Sequence, residues 1–145
     1  MKVVLQRVLS ASVSVEGIIT GKIGPGYLLL VGLATGDDET TVRRLAADVS
    51  KARLMSDDQG KMGVNLRDAR GQALAVSQFT LLADFSKGNR PSFNGAAKPE
   101  VAKPLFDLFV QELSALLGQP VPTGVFGADM KVELTNDGPV TVVLE

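Results

Sequence analysis

The chain contains no cysteine and no histidine. Without cysteine there is no disulfide, no thiol nucleophile and no thiolate metal site, and without histidine the usual proton shuttle and the commonest metal ligand are missing. Most nucleophilic and metal-assisted mechanisms are excluded on that ground, and neither a cofactor nor a metal is expected. No apolar run is long enough to span a bilayer, so no membrane partner is expected. An excess of charge is also lacking: 15 Lys and Arg stand against 16 Asp and Glu, a net charge of -1. Any nucleic-acid partner must therefore be held by a local basic patch rather than by global attraction. The opening Met1-Lys2-Val3-Val4-Leu5-Gln6-Arg7 interrupts its apolar stretch too early for a signal peptide, which makes the cytoplasm the expected location.

What is present reads as one domain, residues 1–145, with 45% hydrophobic and 21% charged residues. Val13-Ser14-Val15 alternates, Gly17 offers a turn, and Ile18 to Ile23 resumes a strand, which predicts an early hairpin. After the break at Gly24-Pro25-Gly26, the continuous apolar run Tyr27 to Leu33 predicts a central strand buried on both faces. Asp37, Asp38 and Glu39 place negative charge where a helix dipole favours it, and Val42, Leu45, Ala46 and Val49 then form one apolar stripe.

Asp57-Asp58-Gln59-Gly60 is turn chemistry, and Gln72 to Leu82, entered through Gly71, reads as a second buried strand. A loop from Asp84 to Ala97 precedes a helix opened by Pro99 and stopped by Gly118 and Pro120. The apolar residues of that helix cover more than one narrow stripe, which implies burial against the sheet with room for a partner subunit. Lys131 to Leu134 and Val140 to Leu144 are expected to form a terminal hairpin. The fold class is α+β: a mainly antiparallel sheet or barrel-like core with two principal helices.

Two segments put polar or conformationally special residues into strand-like surroundings: Ser77-Gln78-Phe79-Thr80-Leu81 and Asn136-Asp137-Gly138-Pro139-Val140-Thr141. Strand alternation sends Ser77 and Phe79 to one face and Gln78 and Thr80 to the other. If the strand ends or bulges there, the N–H groups of Phe79 and Thr80 are freed to stabilise an oxyanion. The plain structural alternative is a pair of satisfied hydroxyls with Phe79 in the core. An X-Pro amide retains only roughly 0.5–1 kcal/mol of trans preference, so Gly138-Pro139 is a candidate cis peptide. With no Cβ on Gly138, its flanking carbonyls stand unshielded and offer a rigid feature that reads a substrate by shape. Here the plain alternative is a hairpin turn, for which Asp-Gly is a strong signal.

Taken together, these motifs resemble those of the D-aminoacyl-tRNA deacylase family, with its Ser-Gln-x-Thr-Leu and Asn-x-Gly-Pro-Val-Thr signatures. The resemblance extends through Gln6-Arg7-Val8, Lys87-Gly88-Asn89-Arg90-Pro91-Ser92-Phe93 and Gly127-Ala128-Asp129-Met130-Lys131-Val132, and so covers nearly the whole chain. The stretch Met62-Gly63-Val64-Asn65-Leu66 departs from the Met-Asn-x-Ser-Leu pattern, and Met55 stands where an aromatic is common.

The resemblance implies hydrolysis of the ester joining a D-amino acid, or glycine, to the terminal ribose of tRNA by a homodimer with active sites at the subunit interface. It implies catalytic roles for Ser77, Gln78, Phe79 and Thr80. It further implies that Gly138-Pro139 reaches into the partner's pocket to reject L side chains, with Arg7 bracing the loop. Asn136, Val140, Thr141 and Met130 are implied to contribute to substrate binding. Lys87 and Arg90 are candidate tRNA contacts, as are Lys98 and Lys103 nearby and Arg43, Arg44, Lys51 and Arg53 on the first helix. Two rival classes remain open: a non-catalytic nucleic-acid-binding module on the same fold, and a hydrolase of free amino-acid esters.

Overall fold

One long strand organises the molecule. The computed structural model describes residues 1–145, and its strand β1, Lys2–Val15, has a neighbour along both edges. On one edge the first half of β1 pairs antiparallel with β3, Gly26–Gly32, and the second half with β2, Ile18–Ile23. Along the other edge runs β7, Lys131–Leu144. Strand β6, Gln72–Ser77, adds to β3 in parallel and completes a five-stranded sheet whose hydrogen-bonded order is β2-β1-β3-β6, with β7 on β1. The sheet curls without closing. At Gly21 on β2, a Cβ would lie 2.8 Å from the Leu74 side chain on β6, so only glycine lets the two ends approach this closely.

The expected early hairpin is β1–β2, and the apolar run from Tyr27 is the central strand β3. Its two faces serve two cores. Tyr27, Leu29 and Val31 join the larger one with Val3 and Leu5, while Leu28 joins Val8, Val13, Ile23 and Leu74 inside the curl. Each of these fully buried aliphatic side chains contributes about 1.5–3 kcal/mol.

Two helices cover the larger core. Helix α1, Glu39–Lys51, starts where the Asp38 carboxylate accepts from the Thr41 N–H at 3.0 Å, and it buries Val42, Leu45, Ala46 and Val49, the stripe predicted. Helix α2, Pro99–Leu117, begins on proline and ends at Gly118 in the left-handed conformation, φ 70°. It sinks Phe106, Phe109 and Leu113 between the sheet and α1, and leaves Leu116 exposed. The turn at Asp57–Gly60 joins the short strands β4, Met55–Ser56, and β5, Met62–Val64.

Two expectations need correction. Lys131–Leu134 and Val140–Leu144 do not fold onto each other as a hairpin; both pair with β1 as parts of β7. Gln6 faces Thr141 and Val8 faces Asn136, so Asp137 to Val140 are squeezed out of the ladder opposite Arg7. A fourteen-residue β1 offers both halves a partner, and Pro139, with no N–H, cannot continue the ladder between them. The strand predicted over Gln72 to Leu82 likewise ends at Ser77, where β3 runs out, and Phe79–Leu82 winds into a 3-10 turn. Strand alternation therefore does not extend to Phe79 and Thr80, and Phe79 is 57% exposed rather than a core residue.

Candidate active site

The 3-10 turn opens a gap in the backbone pairing at a useful place. The N–H of Gln78 still reaches the Val31 carbonyl at 2.7 Å, and the first bond of the turn runs from the Leu81 N–H to the Gln78 carbonyl at 3.2 Å. Phe79 and Thr80 lie between these two bonds, where the first donors of a helical turn have no partner within it. No side chain caps the turn. Instead the Gln78 amide donates to the Thr80 hydroxyl oxygen, which fixes both side chains on the surface.

Ser77, Gln78 and Phe79 form one wall of a cavity of about 540 Å³. Val31 and Val76 contribute from the sheet, Met130 and Phe126 from the segment leading into β7, and Phe93 and Lys98 from the loop before α2. Phe93 meets Phe79 edge to face, with ring centroids 5.0 Å apart, and so fixes an aromatic corner at the cavity mouth. The lining is largely apolar with a few polar groups, the usual constitution of a small-ligand site. Of the acids nearby, Asp129 pairs with Lys131 at 3.2 Å. The N–H and hydroxyl of Ser86 hold the Asp84 carboxyl below the usual carboxylate range. No group of three or more carboxylates is gathered to hold a metal ion.

The second motif lies elsewhere. The Asn136 side chain spans its loop, accepting from the Val140 N–H at 2.8 Å and donating to the Val140 carbonyl at 3.1 Å. It also donates to the Thr141 hydroxyl oxygen at 3.2 Å, which Gln6 reaches at 3.5 Å. Within this clamp Gly138 has φ +146°, and the Gly138-Pro139 peptide is cis. Arg7, only 8% exposed, holds the base of the loop: Nε donates to the Asp137 carbonyl at 2.9 Å and Nη1 to the Leu54 carbonyl at 2.8 Å. The Leu54 N–H in turn donates to the Tyr27 hydroxyl at 3.2 Å, and that hydroxyl donates to the Ala52 carbonyl at 3.1 Å. A continuous set of hydrogen bonds thus ties the Gly-Pro loop to the core. Burial pushes the Tyr27 phenol up, against the smaller lowering effects of the Leu54 N–H and the Arg7 charge.

The sequence-predicted residues therefore fall into separate places. Ser77, Gln78, Phe79 and Met130 share the cavity. Thr80 sits just outside it, exposed. Arg7, Asn136, Gly138, Pro139, Val140 and Thr141 build the loop, where Arg7 and Asp137 border a different cleft together with Ser56 and Arg70. Gly138 and Pro139 are exposed and do not line the cavity of their own chain. Lys87 and Arg90 stand on an exposed loop. Sequence reasoning missed Phe126 in the lining and the Leu54 carbonyl as a seat for Arg7, since neither belongs to a motif.

Comparison with known proteins agrees over the full length. A family model described as D-Tyr-tRNA(Tyr) deacylase matches residues 4–145. The chain is 55% identical over 145 residues to a D-aminoacyl-tRNA deacylase of Dechloromonas aromatica (strain RCB), covering 100% of this chain and 97% of that one. It is 54% identical, with the same coverage, to the D-aminoacyl-tRNA deacylase of Chromobacterium violaceum. Among solved structures it is similar to one titled c-Myc DNA Unwinding Element Binding Protein, with TM-score 0.93, 36% identity, and 100% and 98% of the two chains covered. A structure titled as a probable eukaryotic D-amino acid tRNA deacylase superposes with TM-score 0.84 at 16% identity, covering 99% of this chain and 97% of that one, a likeness of fold.

Proposed function

This chain belongs to the D-Tyr-tRNA(Tyr) deacylase family, and from that premise we propose that it hydrolyses the ester of D-aminoacyl-tRNA at the cavity walled by Ser77, Gln78 and Phe79. Water attacks the aminoacyl carbonyl carbon, the bond to the ribose oxygen breaks, and that oxygen takes the proton, releasing tRNA and the free amino acid. The observation that carries the reading is the end of β6 at Ser77, which leaves the Phe79 and Thr80 N–H groups at the lip of the cavity without partners in the 3-10 turn. Two backbone donors suffice to hold the developing oxyanion of an activated ester. With no histidine in the chain, the Thr80 hydroxyl has no imidazole to make it a nucleophile, so the neighbouring ribose hydroxyl of the tRNA is the group that assists water.

Chirality is read by the Gly138-Pro139 loop of a second copy. Within one chain the loop does not line the cavity, so a homodimer is the arrangement that brings the two together. There the loop carbonyls face the substrate α-carbon, an L side chain collides with them, and a D side chain or the hydrogen of a glycyl ester does not. Translation, the process such proofreading serves, puts the reaction in the cytoplasm.

The structural neighbour titled as a DNA-unwinding-element binding protein favours one second reading, a nucleic-acid-binding module without turnover. One experiment separates the readings: hydrolysis of D-aminoacyl-tRNA, L-aminoacyl-tRNA and a free D-amino-acid ester by the purified chain. Hydrolysis of the D-aminoacyl-tRNA with rejection of the L form is the expected result. Binding of RNA with no turnover overturns the hydrolase, and equal hydrolysis of the free ester removes tRNA from the recognition.

A further inference from the structure

The positive charges of this protein are not equally available. On α1, Arg43 bridges Glu39 at 3.3 Å and Glu112 at 3.2 Å, and Arg44 pairs with Asp48 at 3.5 Å. On α2, Lys103 pairs with Asp107 at 2.8 Å. The helical face is thereby largely neutralised by its own acids. Residues 85–99 differ: they hold Lys87, Arg90 and Lys98 and not one Asp or Glu, and none of these three cations forms an ion pair.

The same segment carries a half-exposed aromatic ring that pairs with no other ring of the chain. Asp84 and Ser92 bond to each other through both backbone groups, at 2.9 and 2.8 Å, and so close a loop whose residues from Phe85 to Pro91 are all exposed. Phe85 is 57% exposed at the start of this loop, where its carbonyl accepts from the Gly88 N–H at 3.2 Å. The loop is rooted at the cavity mouth, because Phe93, next after its closing residue, lines the cavity against Phe79, and Lys98 lines it too. The one acid at its root, Asp84, turns its carboxylate onto the Ser86 N–H and hydroxyl. Unpaired cations beside an exposed aromatic face are what an unstacked nucleic-acid strand uses: phosphates take the charges and a base takes the ring.

We propose that the Phe85–Lys98 segment holds the single-stranded 3′ end of the RNA, with Phe85 stacking on an unpaired base while Lys87, Arg90 and Lys98 take the phosphodiesters that lead into the cavity. The proposal rests on the deacylase reading for the orientation of that strand. It assigns RNA recognition to the unpaired end rather than to a double-helical body lying across α1.

The test is binding, by fluorescence anisotropy, of an uncharged RNA hairpin with a short unpaired 3′ end, compared with the same hairpin made blunt. The overhang is expected to bind more tightly. Phe85→Ala should weaken it roughly tenfold or more while Phe85→Trp retains it, as loss and restoration of one stacking face require. Lys87→Ala and Arg90→Ala should each make the fall of log affinity with log salt shallower by roughly 0.7. Equal binding of the blunt hairpin overturns the proposal, as does unchanged affinity for Phe85→Ala at unchanged unfolding midpoint. Because the RNA is uncharged, absence of ester hydrolysis would sink the deacylase reading and leave this result standing.

Discussion

Arg7 donates from Nε to the carbonyl oxygen of Asp137 at 2.9 Å, joining residues 130 positions apart where Asp137 to Val140 leave the ladder between β7 and β1. The guanidinium is almost fully buried, and its other arm is spent on the Leu54 carbonyl, so the loop that carries Gly138 and Pro139 is fixed from beneath as well as by the Asn136 clamp within it.

Arg7→Ala should therefore destabilise the fold by roughly 2–3 kcal/mol, the cost of removing charge-assisted hydrogen bonds from partly buried carbonyls. Urea unfolding measures it. The same variant should hydrolyse L-aminoacyl-tRNA relatively faster than the parent, since the loop loses its seat. Unaltered stability and unaltered D/L ratio would show that Asn136 alone holds the loop.

Gly138→Ala tests the loop from within. A Cβ there would lie 2.7 Å from both the Val140 N and Cγ2, at a φ of +146° that L side chains rarely adopt. The loop must shift, at a cost of roughly 1–3 kcal/mol, while the two cores stay intact. The expected outcome is a folded protein with weakened rejection of L-aminoacyl-tRNA, read from paired D and L rates.

Thr80→Ala is expected to keep most of the single-turnover rate on D-aminoacyl-tRNA, because the backbone donors remain when the hydroxyl goes. Loss of the rate with folding and RNA binding preserved would give the side chain a chemical role.

The pH dependence of stability has two flanks. Hydrogen bonds from the Thr41 backbone and hydroxyl hold the Asp38 carboxyl below its usual value, so the native state binds that proton more weakly than the unfolded chain. Its stabilising contribution is present above the unfolded carboxylate pKa and lost as pH falls through the folded one. Asp38→Asn, which retains a capping oxygen, should flatten this acid flank. Tyr27 behaves oppositely. Burial raises its phenol above the ordinary value of 10.0, so stability is intact below that value and lost as pH rises through the folded pKa. Tyr27→Phe should remove that alkaline loss and lower stability at neutral pH, where the Ala52 carbonyl and Leu54 N–H lose a partner. Unfolding midpoints across the pH range check both flanks.

The elements of this fold were legible wherever their cause is local. Asp38 caps α1, Pro99 opens α2, Gly118 closes it, and the apolar stripe Val42, Leu45, Ala46 and Val49 is the buried one. The special segments around Ser77 and Gly138 were also visible, because polar and conformationally unusual residues stand out against apolar strand sequence. The two misreadings concern strand partners. Whether Val140 to Leu144 turns back on Lys131 to Leu134 or pairs with β1 depends on which unfilled strand edge lies beside it, and β1 supplies one along its whole length. Where β6 stops depends on where β3 stops.

By itself, then, the sequence determined most of the secondary elements, the absence of imidazole and thiol chemistry, and the two segments that stand out as candidate functional sites, because periodicity, caps and composition are properties of neighbouring residues. Only the tertiary structure decided that the Ser77 segment walls a cavity and that the Gly138 loop, held by Arg7, does not line it. Strand register and cavity shape are set by hydrogen bonds and packing between residues far apart in the chain, and no local pattern encodes which of the available edges a strand will meet.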